Sequence, residues 1–150
     1  MSKKLIFLQT TLLYLLVSCA NNTNNAKSDN AEPKPSSPVN CYRYSNSKDT
    51  ITLKLVHVGA SITGTLAYEM PQINTAKGTI QGHMENDLLV ATFTPFVDST
   101  TPRQIAFKLV GNYFIEGVGE TYEENGKTSF KDRNELHFTD RIKLIEFDCQ

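Results

Sequence analysis

The sequence predicts an all-β domain: an antiparallel meander of about eight or nine strands forming a small barrel or a strongly curled sheet. Three observations carry this. Short β-rich runs recur at close spacing between Cys41 and Cys149, split by turn residues. In three successive pairs of runs, one choice of turn makes the apolar–polar alternation agree on both strands. No segment of ten or more residues shows a 3.6-residue apolar period.

The first pair turns at Gly59-Ala60. His57 then faces Ile62, Leu55 faces Gly64, Leu53 faces Leu66 and Ile51 faces Tyr68, leaving Thr52, Lys54, Thr63 and Thr65 on the wet side. The second turns at Asn86-Asp87. Met84 faces Leu89, Gly82 faces Ala91 and Ile80 faces Phe93, with Thr79, Gln81, His83, Thr92 and Thr94 opposite. The third turns at Gly111-Asn112. Leu109 faces Phe114, Phe107 faces Glu116, Ile105 faces Val118 and Arg103 faces Glu120.

Further strands are expected through Tyr42–Tyr44, Leu136–Phe138 and Lys143–Cys149, and an irregular polar excursion over Glu123–Asn134. Closure would remove exposed edges, and small inward residues (Gly64, Gly82, Ala91) would permit tight curvature. The expected interior is Leu53, Leu55, Leu66, Ile80, Met84, Phe93, Ile105, Phe107, Leu109, Phe114 and Val118.

Ahead of this domain the chain has a different character. Lys3 and Lys4 precede a largely apolar run, Leu5 to Val17, of 13 residues. That is too short for a bilayer needing about 20, and it reads as the core of a signal peptide. The run ends Leu16-Val17-Ser18-Cys19. This ending resembles the lipobox of bacterial lipoproteins, which implies cleavage after residue 18 and a lipid on Cys19. Residues 19–40 then form a tether. From Ala20 to Asn40 it is rich in Asn, Ser and Pro, with Val39 its only large apolar residue. Such a segment buries too little surface to offset the entropy of ordering it. The domain is 41–150, one unit of common size.

The phrases Asp49-Thr50-Ile51-Thr52-Leu53, Thr63-Gly64-Thr65-Leu66, Gly78-Thr79-Ile80-Gln81-Gly82, Arg103-Gln104-Ile105-Ala106-Phe107-Lys108 and Glu116-Gly117-Val118-Gly119 are similar to those of small uncharacterised Bacteroidetes lipoproteins with an all-β domain. The resemblance carries no catalytic motif. Ala20 rather than Asp follows the cysteine, and no acidic cluster comes after it. By resemblance to known lipoprotein sorting, this implies the outer membrane, facing the periplasm.

With Cys19 committed to lipid, Cys41 and Cys149 remain, and an oxidising compartment makes a disulfide between them the expectation. Losing Lys3 and Lys4 takes the formal charge from −1 to −3 with no block of like charge. Nucleic acid is therefore not an expected partner; the membrane is reached through the lipid.

No catalytic, cofactor or metal motif stands out. His83 and Glu85 share one strand face, but two ligands do not make a metal site. The candidate constellation is Glu116 with Arg103 and Glu120, all on the core side of the third hairpin. A buried carboxylate is costly unless paired. Arg103 would neutralise Glu120 at the rim, leaving Glu116 deeper, where a binding barrel would keep a recognition group. A structural ion pair, or a bulge near Gly117 and Gly119, explains the same residues. The functional expectation is a non-enzymatic small-ligand or peptide binding module. The alternatives are a protein-interaction or enzyme-inhibitor module, similar in size to lysozyme inhibitors, and a structural envelope component.

Overall fold

A computed structural model of the chain describes residues 38–72, 74–97 and 101–149. The expected signal peptide, Cys19 and the tether up to residue 37 lie outside the described residues. No helix occurs among those described.

Seven strands run up and down in chain order: β1 (Val39–Ser45), β2 (Thr50–Val58), β3 (Ser61–Met70), β4 (Asn74–Glu85), β5 (Leu88–Pro95), β6 (Arg103–Val110) and β7 (Tyr113–Val118). Each pairs antiparallel with its successor. A late strand, Leu144–Phe147, pairs with both β7 and β1 and closes an eight-stranded barrel. Between β7 and that strand the chain forms β8 (Thr121–Glu124), β9 (Lys127–Phe130) and β10 (His137–Phe138), so the closing strand is β11.

The first two hairpins have the registers that alternation predicts: Leu53 opposite Leu66 and Ile51 opposite Tyr68, then Gly82 opposite Ala91 and Ile80 opposite Phe93. The third holds only in part. Leu109 faces Phe114 and Phe107 faces Glu116, but the ladder stops there. The expected pairs Ile105–Val118 and Arg103–Glu120 do not form, and Val118 is exposed rather than inward. The cause is tertiary. Gly117 and Val118 pair instead with β10. The Phe138 ring lies so close to Gly117 that a Cβ there would come within 2.7 Å of it. At Arg103, a parallel bridge to Thr128 of β9 joins β6.

The expected irregular excursion likewise contains a hairpin, β8–β9, turning at Asn125-Gly126. Both turn residues take positive φ, +51° and +69°, the conformation an Asn-Gly hairpin turn requires. This segment lies against the outward side of the wall. Val90 and Ala106 alternate with inward Leu89, Ile105 and Phe107, yet they are buried too. Phe130 N donates to Gln104 Oε1 at 3.1 Å.

Inside, Leu53, Leu66, Leu89, Phe93, Ile105, Phe107, Phe114 and Leu144 are almost wholly buried in one contiguous cluster. Phe114 meets Tyr42 and Phe107 edge-on, with centroids 4.8 and 6.3 Å apart. Eight strands leave an interior that side chains fill. Met84 and Leu109 pack at its margin. A Cβ on Gly64 would collide with the Lys54 carbonyl oxygen, and one on Gly82 with that of Val90. Glycine at these positions is what lets neighbouring strands approach this closely.

Cys41 and Cys149 are bonded, with Cα atoms 5.4 Å apart, within the range the cross-link needs. Strand parity places the start of β1, this bond and the three tight turns at one end of the barrel. The beginnings of β2, β4 and β6 lie at the other.

Candidate functional site

Glu116 comes from β7 and Arg103 from β6, beside the point where those strands part. Tyr68 reaches them from β3, where pairing with inward Ile51 turns its ring into the barrel. Tyr68 donates its hydroxyl hydrogen to Glu116 Oε1 at 2.6 Å. Arg103 Nη1 lies 3.9 Å from the same oxygen, too far for a hydrogen bond but close enough for an ion pair. The guanidinium carbon stands 5.3 Å from the ring centroids of both Tyr68 and Phe93, at cation–π distance. Tyr68 and Phe93 meet edge-on. Together these side chains close one end of the barrel over a filled core.

Burial pushes the Glu116 carboxyl above its usual range, against the Tyr68 hydrogen bond and the Arg103 charge, which both pull it down. Burial also pushes the Tyr68 phenol well above its ordinary value, and the Glu116 charge adds to the effect. A carboxyl whose value is raised on folding stabilises the fold below the ordinary carboxylate range. That stability is lost as pH climbs through the range to the raised value. Gln at this position can still accept from Tyr68 and cannot ionise. Glu116→Gln is therefore expected to gain stability relative to wild type as pH rises from about 4 to about 7. Urea midpoints of both chains at the two pH values measure this. A difference that does not change with pH would rule it out.

Glu120 is not part of this cluster. It lies beyond the end of β7, exposed, and its carboxylate pairs with Lys131 Nζ at 2.9 Å rather than with Arg103. The bridge from Thr128 to Arg103 stands where the expected partner would have paired.

A second cluster forms on the outer wall. His83 Nε2 lies 2.9 Å from Glu85 Oε1, and Arg133 Nη1 donates to the same oxygen at 2.7 Å. The Arg133 hydrogen bond, then that of His83, holds the Glu85 carboxyl below its ordinary range. These groups rim a groove of about 570 Å³, with Leu88 and Val90 among its apolar lining and Tyr122 and Phe130 contributed by β8 and β9. A second depression of about 800 Å³, lined by Val118, Glu120, Leu136 and His137, shares Asp132 and Asn134 with it. Sequence reasoning paired His83 with Glu85 but missed Arg133, Tyr122 and Phe130. The Asn125-Gly126 dipeptide was the available signal for the last two, as it marks the hairpin that carries them.

The arrangement is an amphipathic surface groove, with aromatic walls and a charged rim. Among the described residues no group of three or more His, Cys, Asp or Glu is placed to hold a metal ion. Compared with known proteins, the chain matches no protein-family model, no curated protein and no solved structure.

Proposed function

We propose that this chain is a lipid-anchored envelope protein whose barrel is a non-enzymatic scaffold, and that it binds a peptide or protein segment on its outer wall. The observation that carries this is where the space lies. On the core side, the charged pair Glu116 and Arg103 is engaged with Tyr68 above packed aromatic rings. The groove between β4–β5 and β8–β9 is open, and it offers aromatic anchors beside polar and charged groups. That combination of apolar lining with a few convergent polar groups suits recognition. A ligand inside the barrel would have to displace core side chains. Cys19 supplies the anchor in this reading, at the outer membrane and facing the periplasm.

A photo-reactive benzoylphenylalanine at His83, on the groove rim, is expected to cross-link a discrete partner in intact cells. The same group at Thr52 should not, because β2 lies two strands from β4 and contributes no residue to the groove. Equal labelling from both positions would count against the groove. Palmitate labelling checks the anchor, and a Cys19→Ala chain is expected to lose it.

A further inference from the structure

β8 ends the sheet order, pairing with β9 on one side only. Thr128 N donates to Pro102 O, and Phe130 N donates to Gln104 Oε1, so both residues of β9 turn their amides away from β8. Their partners across the ladder, Glu123 and Thr121, are therefore its non-bonded pairs, and their backbone N–H and C=O groups point out from the free edge. All four residues of β8 are exposed. The strand also contributes Tyr122 to the groove. Two adjacent carboxylates, Glu123 and Glu124, ride on this edge, and no ion pair involves either among the described residues.

We propose that the β8 edge accepts an extended, lysine- or arginine-bearing segment of a partner protein as an added strand. The inference rests on the interaction-module reading above and names its occupant. The free amides and carbonyls supply the main-chain bonds that strand addition uses. The carboxylates choose the partner. Pairing β8 with a second copy of itself would set four glutamates along one seam, two on each face of the sheet, and like charges brought close across strands are destabilising. The same charges favour a cationic strand. The edge is thus closed to its own copy and open to a basic one.

The probe is a fluorescein-labelled peptide of alternating Lys and Thr. It is accompanied by an analogue N-methylated at every second amide and by a peptide of alternating Glu and Thr. The full-length chain in detergent is expected to bind the first peptide and slow amide hydrogen exchange at Thr121 and Glu123. N-methylation should abolish binding, since it keeps the charge and removes the donors. The Glu–Thr peptide should not bind. The double variant E123K/E124K should weaken binding about tenfold or more while its urea midpoint stays near wild type. Equal binding of the N-methylated peptide would reduce the contact to charge alone and overturn strand addition. So would unchanged exchange at Thr121 and Glu123, or self-association through β8 in sedimentation. Each of these results leaves the His83 cross-link unaffected, so failure of the edge and failure of the groove can be told apart.

Discussion

Replacing both Cys41 and Cys149 with Ser is expected to cost roughly 4–5 kcal/mol, the entropy of closing a loop of about 100 residues. The two cysteines stand 108 positions apart, so the bond restricts nearly the whole unfolded domain. It also lies at the seam, where β1 pairs with β11 and the earliest and latest strands of the barrel meet. Without it, that contact must be found by a search across the full chain. A domain of this size holds about 5–15 kcal/mol in all, so the loss is a large fraction. It should appear as a fall of roughly 20 °C or more in Tm, matched by adding reductant to the wild type. A fall of only a few degrees would mean that hydrogen bonding between β1 and β11 secures the seam unaided.

Phe107→Ala should cost about 3–5 kcal/mol. Phe107 has no exposed surface, meets Phe114 edge-on, and sits directly opposite Glu116. Its removal takes out a large apolar group and leaves a cavity beside a carboxylate that burial already disfavours. Lys54→Ala, on an exposed outward position of β2, should cost well under about 1 kcal/mol. Urea unfolding of both variants at one pH makes the comparison. Similar costs at the two positions would show that the interior is not the close-packed cluster described.

The meander was readable because its information is local. A two-residue turn fixes a register, and the register then assigns every side chain on both strands to a face. That logic placed Leu53 against Leu66 and Ile80 against Phe93, and it turned Glu116 inward. It also turned Tyr68 inward, but nothing local announces that a residue of β3 will hydrogen-bond to one of β7, 48 positions away. The reading failed where distant chain competes for an edge. β7 leaves β6 because Phe138 packs on Gly117, and Val118 and Glu120 are carried out of register with it. The β8–β9 hairpin was obscured by its flanks. Glu123, Glu124 and Lys127 mask the alternation around Asn125-Gly126, and polarity was mistaken for irregularity. The Arg133–Glu85 contact, which completes the groove, spans another 48 positions and leaves no trace in spacing.

The seam also bears on mechanical load. A pull on the residues before Pro38 enters the barrel at the start of β1. Unlinked, that strand would be peeled from β2 one rung at a time, the arrangement in which a sheet resists least. The bond at Cys41 intercepts the load almost at once and shares it with β11, whose other neighbour is β7. Tension from that side can then free only the few residues ahead of Cys41 before it must drag two strands of the ring together. A domain loaded through its N-terminal end would stay folded under tension that would unzip its reduced form.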